Sequence, residues 1–287
     1  MRWDNEISQI GKNELFKIFY VRLFVLSAIG INLLALFSDG VTDNNNKSHT
    51  IIDIIFHIKK YDVKTDSGLN SFTMLNKGFG AWTVMILPLV LGFSYLYVLT
   101  AERKNGNVRM MIQREGNICY CLSKMISLMI YGGVLLTFSF GCFYVIVSRF
   151  FYSPFTMFPD YAIQLYGKEA VYLIKRFAGI FLYGMSVNVF VYGFAALFSD
   201  RYVVYSLPFV FSYLVKQVNT KLLYKSFEKG NNNMIEILSV FNMENIMYFN
   251  GSKYWKYNLI LVLLCYLGLL WLFYSILKKR YDSCDWR

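Results

Sequence analysis

Long apolar stretches separated by polar segments dominate this chain of 287 residues. A bilayer hydrocarbon core about 30 Å thick needs roughly 20 apolar residues at about 1.5 Å each to cross it. Because lipid offers no partner to backbone N–H and C=O groups, each stretch is expected to be a helix. The pattern predicts an all-α integral membrane protein. Its six transmembrane helices are expected at residues 16–37, 79–100, 125–148, 177–198, 201–217 and 257–277.

A segment of mixed character precedes the first apolar stretch. Within residues 3–20, apolar side chains such as Ile7, Ile10 and Ile18 alternate with charged ones at helical spacing. This spacing predicts an amphipathic helix that lies in the membrane interface and leads into the first span. The interfacial helix and the six spans form one transmembrane domain, residues 1–287, and leave no room for a separate soluble domain.

The composition supports an integral membrane protein and indicates which partners to expect. The chain is 56% hydrophobic and 19% aromatic, and its formal net charge is +11. The basic residues lie at span ends and in several loops, so membrane lipid is an expected partner and nucleic acid is not. One short flank, after the second span, contains the cluster Arg103, Lys104, Arg109, Arg114 and Lys124. The positive-inside rule places this flank in the cytoplasm, and with six spans both termini lie there too.

No sequence motif of an enzyme is present. The chain has no G-x-x-x-x-G-K-[ST] nucleotide loop, no H-E-x-x-H and no G-x-S-x-G. Cys119 and Cys121, with no further Cys or His nearby, are too few for a zinc shell. The chain is therefore not expected to be an enzyme or to bind a cofactor itself.

The weak candidates for a metal site are His49, Asp53 and His57. They recur at steps of four within Ser48–Tyr61, where the pattern predicts a helix. The ends of such a set lie roughly 12 Å apart, so one ion cannot bind all three. An amphipathic helix on the outer surface, with these residues as its polar stripe, is the preferred interpretation, and no metal is expected.

The loop between the second and third spans, residues 101–124, carries the most specific pattern. Turn residues around Gly106 precede a segment, Val108–Arg114, that mixes apolar and basic side chains at helical spacing. Gly116 is expected to end that helix before the third span begins. A short helix with two different faces is suited to docking in a groove of another protein.

This arrangement resembles the membrane subunit of type 2 ABC exporters. In that family six spans follow an interfacial helix, and the loop after the second span begins with Glu and carries a downstream Gly within a short coupling helix. The match here runs from Glu102-Arg-Lys-Asn-Gly106 to Arg114-Glu-Gly116, and Leu207-Pro-Phe209 in the fifth span is a second similarity. The resemblance implies that contact with an ATPase subunit is made by Glu102, Arg103, Gly106, Arg109, Arg114, Glu115 and Gly116.

The resemblance implies a multi-pass permease of the plasma membrane that exports a peptide, a lipid-like molecule or a drug-like amphipath. Its implied partners are a second permease subunit, identical or related, and separate ATPase subunits that hold ATP and Mg. It also implies a re-entrant segment within residues 218–256, although the run Asn231–Asn233 favours a looser loop. The residues leave open an alternative, a non-transporting sensor, immunity factor or scaffold that acts through its outer loops.

Overall fold

The computed structural model describes residues 21–42, 48–57, 69–80, 83–93, 107–157, 159–198, 200–228, 232–247 and 255–282. The predicted interfacial helix at 3–20 lies outside these residues. The described part is helical apart from one small hairpin. Its elements are α1 Val21–Leu36, β1 Asp39–Thr42, β2 Ser48–Thr50, α2 Ile51–His57, α3 Ser71–Gly78, α4 Thr83–Phe93, α5 Asn107–Glu115, α6 Asn117–Phe150, α7 Pro154–Met157, α8 Pro159–Tyr166, α9 Glu169–Leu197, α10 Arg201–Glu228, α11 Asn232–Val240, a 3-10 turn Met243–Ile246, and α12 Trp255–Asp282.

Three of the described helical segments are long and apolar enough to cross a membrane. They run over Asn117–Thr156, Glu169–Ala195 and Trp255–Ile276, which correspond to α6, α9 and α12. Their number rises to four if the bent pair of α3 and α4 is counted as one span. The fold is therefore that of a helical membrane protein.

Helix α9 lies between α6 and α12 and packs against both. The side-chain amide of Asn188 in α9 donates to the carbonyl oxygen of Leu128 in α6 over 2.9 Å. The hydroxyl of Tyr266 in α12 donates to the carbonyl oxygen of Met185, three residues before Asn188 in α9. Backbone carbonyls thus accept from the side-chain donors of Asn188 and Tyr266, which makes such donors tolerable at membrane depth.

Within the second predicted span, 79–100, the described helix is α4, which begins at Thr83, and α3 lies before the predicted span. Helices α3 and α4 meet at an angle of 62°. Phe79, which follows α3, packs edge-on against Phe140 and Phe143 of α6, with ring centroids 5.2 and 5.7 Å away. This aromatic contact buries Phe79, at the start of the apolar run that the sequence pattern predicts to be a span.

The first predicted span corresponds to α1, whose 16 residues extend about 24 Å. Phe24 of α1 contacts Tyr131 of α6 edge-on at 6.1 Å between ring centroids. The third predicted span, 125–148, is longer in the structure, because α6 already begins at Asn117. The fourth also begins earlier, at Glu169, so Arg176, predicted to lie in a loop, is buried in α9.

The fifth predicted span, 201–217, is part of a longer helix. Helix α10 has 28 residues and continues through a polar second half to Glu228, with Pro208 inside it. It is not among the helices apolar enough to cross a membrane. The helix does not stop where the apolar run stops, because residues 218–228 contain no Gly or Pro to break it.

A strand pair replaces part of the helix predicted over Ser48–Tyr61. Residues Ser48–Thr50 pair antiparallel with Asp39–Thr42, and α2 begins only at Ile51. The reason is a reciprocal cap. The hydroxyl of Thr50 donates to the Asp53 carboxylate over 2.7 Å, and the Asp53 backbone N–H donates back to that hydroxyl over 3.3 Å.

Candidate functional site

The structure separates the residues of the weak metal candidate. His49 lies in β2, Asp53 caps the first turn of α2, and His57 is the last residue of that helix. The prediction that they share one helical face is therefore wrong. No group of three or more His, Cys, Asp or Glu side chains within the described residues is placed to hold a metal ion.

The segment predicted to contact an ATPase is a helix, as expected. Helix α5 covers Asn107–Glu115 and packs against the start of α6. Gly116 ends it with a φ of +79°, a left-handed conformation that glycine adopts without strain. The Gly116 N–H donates to the Ile112 carbonyl over 2.8 Å, and the Gly116 carbonyl accepts from Tyr120 at 3.1 Å. One residue therefore joins α5 to a helix of 34 residues.

Helix α5 has two chemically different faces. Val108 and Ile112 are each only 5% exposed and belong to the core of the protein. Met110 is 54% exposed, and Arg114 is also exposed. The inner face holds α5 in place, and the outer face offers a thioether and a guanidinium to a partner.

The remaining residues implied by the resemblance are only partly described. Arg109 and Glu115 belong to α5 by their backbone. Glu102, Arg103 and Gly106 lie outside the described residues. Of the implied contact residues, the structure therefore describes the side chain of Arg114, exposed near the end of α5, and Gly116, which forms the α5–α6 junction.

The region behind α5 is well packed. The hydroxyl of Tyr192 in α9 donates to the carbonyl oxygen of Cys121 over 3.3 Å. Lys124 is only 1% exposed and lies over the ring of Tyr120, with its Nζ 5.6 Å from the centroid. This lysine is counted with the basic flank in the sequence, yet its charge is buried in the bundle. The start of α6, against which α5 packs, is therefore held to α9.

A second candidate site, here called the Asn219 cavity, was not found from the sequence. It has a volume of about 170 Å³ and lies between α4, α9, α10 and the segment Phe241–Glu244. Apolar side chains form most of its wall. These are Val84, Met85, Pro88, Val187, Val215, Leu223 and Phe241.

Polar side chains also line the Asn219 cavity: Tyr183 from α9, Ser212, Lys216, Asn219 and Thr220 from α10, and Asn242 and Glu244 from the segment Phe241–Glu244. Lys216 of α10 forms an ion pair with Glu244 of the 3-10 turn, and their side chains are 24% and 27% exposed. Oδ1 of Asn219 is buried and has no hydrogen-bond partner within the described part of the chain. An unsatisfied buried carbonyl oxygen is costly, and such atoms call for an explanation.

The 3-10 turn that closes the cavity is fixed from two sides. A guanidinium N–H of Arg176 in α9 donates to the carbonyl oxygen of Met247 over 2.7 Å. The amide of Asn258 in α12 donates to the carbonyl oxygen of Asn242 over 2.8 Å. The 3-10 turn at the edge of the cavity is therefore hydrogen-bonded at its two ends to α9 and to α12.

Two features explain why the sequence pattern missed this cavity. Lys216 lies at the end of the predicted span 201–217 and Asn219 in the loop predicted after it, so the two were not expected on one continuous helix. Glu244 lies 28 residues beyond Lys216, in a segment without helical periodicity. The only signal in the sequence was that two polar residues, Lys216 and Asn219, lie three positions apart at the end of an apolar stretch.

No protein-family model matches this chain, and comparisons with curated proteins and with solved structures find no match either.

Proposed function

We propose that this chain is the permease subunit of an ATP-driven exporter in a plasma membrane. It has six transmembrane helices, and both of its termini lie in the cytoplasm. The observation that carries the proposal is α5. It is a short helix whose apolar side is held by the bundle and whose outer side presents Met110 and Arg114. The sequence resemblance to type 2 ABC exporters assigns the same segment to ATPase contact.

In this proposal, a separate ATPase subunit docks on the outer face of α5. Closure of the ATPase dimer around ATP and Mg pushes on α5. Because Gly116 joins α5 directly to α6, the push reaches the pair of α6 and α9 and shifts the equilibrium between inward-facing and outward-facing bundles. Glu102, Arg103 and Gly106 complete the coupling segment on the strength of the resemblance.

A second copy of this chain, or a related permease, completes the pathway. Exposed apolar side chains on α12, such as Leu263, Leu264 and Trp271, support a helix that faces lipid or another subunit. The proposed cargo is amphipathic: a peptide, a lipid-like molecule or a drug-like molecule.

The test is purification of the tagged full chain from its native host in mild detergent, with identification of stoichiometric partners. We compare the wild type with Arg114→Glu and with Lys168→Glu, the same charge reversal at an exposed residue between α8 and α9. A partner with a nucleotide-binding loop is expected with the wild type and with Lys168→Glu, and is lost with Arg114→Glu.

The result that overturns the proposal is an intact wild-type chain with no ATPase, under conditions that preserve a control transporter. Equal ATPase recovery with Arg114→Glu contradicts the assigned role of α5. The alternative function, a sensor, immunity factor or scaffold that acts through its outer loops, predicts the first of these results.

A further inference from the structure

We propose that Lys221 and Lys225, on the second half of α10, together bind the phosphate of an anionic phospholipid. The inference rests on α10 as the fifth span of the proposed topology, and it requires neither export nor an ATPase. A span that fails and a lipid site that fails give different results in the experiment below.

The outward face of α10 changes character along its length. Leu214, Val218, Lys221 and Lys225 recur at steps of four, three and four, which places them on one face of the helix. Leu214 and Val218 are 53% and 55% exposed, and both lysines are exposed as well. The exposed face therefore passes from apolar to basic between Val218 and Lys221.

The position of this change matches the edge of a bilayer. Tyr202, in the first turn of α10, is 85% exposed, and tyrosine is favoured at membrane interfaces. Because a helix rises about 1.5 Å per residue, Lys221 lies about 30 Å further along, which is the thickness of the hydrocarbon core. In the proposed topology the two lysines therefore lie at the depth of the lipid headgroups, in the leaflet opposite to Tyr202.

Lys221 and Lys225 have no counter-charge within the described part of the chain. Neither side chain forms an ion pair there, although Glu228 lies only three residues beyond Lys225. By contrast, Lys216 on the other face of α10 is paired with Glu244. Side chains four residues apart on a helix are neighbours, so one phosphate can accept hydrogen bonds from both ammonium groups.

Helix α11 adds an apolar surface at the same end of α10. It begins four residues after the end of α10 and packs against it. Met234, Ile237 and Phe241 recur at steps of three and four, and each is about half exposed. These side chains offer contact to an acyl chain whose phosphate is bound by the two lysines.

The two lysine charges also decide which headgroup is preferred. The phosphate of phosphatidylglycerol is the only charged group of that lipid, whereas phosphatidylcholine also carries a quaternary ammonium. Two lysines already exceed the charge of one phosphate, so they repel this additional cation. The site therefore favours an anionic phospholipid over a zwitterionic one.

Quenching of a fluorophore beside the two lysines measures this preference. The full chain without its five native cysteines carries a small fluorophore on Val218→Cys and is placed in nanodiscs. Phosphatidylglycerol and phosphatidylcholine, each with a spin label high on the acyl chain, are added in separate samples, and the quenching gives their relative association with the site. We expect phosphatidylglycerol to associate at least about fivefold more strongly, the contribution of one lysine, and up to about thirtyfold if both contributions add.

Two pairs of lysines provide the variant and a control of equal charge. Lys221→Gln/Lys225→Gln is expected to lower the ratio of the two associations to about one. Lys278→Gln/Lys279→Gln, at exposed positions near the end of α12, removes the same charge and is expected to leave the ratio unchanged. Lys221→Arg/Lys225→Arg keeps both charges and is expected to retain the preference.

Three outcomes overturn the lipid site. The first is equal association of the two lipids when all lysines are present. The second is a preference that survives Lys221→Gln/Lys225→Gln, which assigns it to another basic group. The third is an equal loss in both glutamine pairs, which assigns it to the net positive charge of the protein. Quenching by neither lipid is a different failure, because it removes Val218 from the hydrocarbon and with it the proposed fifth span.

Discussion

At the scale of single residues, two glycines set the distance between the central helices α6 and α9. A Cβ on Gly132 would collide with the side-chain amide of Asn188 and lie 2.6 Å from the carbonyl oxygen of Gly184. Small residues at such crossings let membrane helices approach closely, so that van der Waals contact drives their association.

The variant Gly132→Ala is expected to destabilise the protein by about 1–3 kcal/mol, the usual cost of inserting a methyl group into a packed core. The added methyl displaces Asn188 and breaks its hydrogen bond to Leu128. Thermal unfolding in detergent, followed by size-exclusion chromatography, measures the effect. Gly141→Ala on the same helix is the control, since its Cβ would meet Phe177 at an ordinary 3.6 Å. Equal midpoints for the two variants would contradict the close crossing.

Gly116 is a different case, because only its backbone conformation constrains it. Nothing lies within 4 Å of a Cβ built there, but its φ is +79°. Gly116→Ala is expected to lower the free energy of unfolding by about 1 kcal/mol, the cost of a left-handed conformation for a residue with a Cβ. Gly268→Ala in α12 has equally open surroundings and a helical backbone, so it is expected to raise stability by up to about 1 kcal/mol.

The unfolding midpoints of these two variants in one detergent measure the contrast. A shift of the same sign for both variants would show that the α5–α6 junction does not depend on a left-handed residue.

At the scale of elements, α5 was predictable and several other elements were not. Its two-sided periodicity and the glycine that follows it are local signals, and the structure confirms both. The β1–β2 hairpin was missed because Ser48–Tyr61 also satisfies a helical pattern, and the Thr50–Asp53 cap decides where that helix begins. The bend between α3 and α4 depends on Phe79 packing against α6, a contact between residues distant in sequence.

The candidate sites differ in the same way: local patterns predict one of them, and contacts between distant residues form the other. The outer face of α5 follows from sequence periodicity, because exposed and buried positions alternate at helical spacing. The Asn219 cavity depends on contacts between α4, α9, α10 and a turn 28 residues beyond Lys216. No local pattern encodes such a juxtaposition.

The inner face of α5 is expected to hold the element in place. Ile112→Ala removes three buried carbons and is expected to lower the free energy of unfolding by about 2 kcal/mol or more. Met110→Ala on the exposed face is expected to change it by less than about 0.5 kcal/mol. Thermal unfolding of both variants measures the difference. A larger loss for Met110→Ala would mean that the two faces of α5 are reversed.

At the scale of the whole molecule, the antiparallel pair of α6 and α9 fixes which parts of the chain share a side of the membrane. Helix α6 has 34 residues and is about 50 Å long, which exceeds the hydrocarbon thickness. Helix α9 returns beside it, with Asn188 opposite Leu128 and Tyr192 opposite Cys121. In the proposed topology, the start of α6 and the end of α9 therefore lie on one side of the membrane, and the α8–α9 junction lies on the other.

Single cysteines in a background without the five native ones test this arrangement. The exposed positions Arg114, Lys168 and Asp200 are each replaced by Cys and labelled in whole cells with a membrane-impermeant maleimide. In the proposed topology, α6 crosses once, α9 crosses back and α5 is cytoplasmic, so Arg114→Cys and Asp200→Cys are expected to react only after permeabilisation, and Lys168→Cys in intact cells. Labelling of Arg114→Cys and Lys168→Cys from the same side would show that α6 does not cross. The reverse pattern, with Lys168→Cys protected, would keep the crossings but invert the chain, and α5 would then lie outside the reach of a cytoplasmic ATPase.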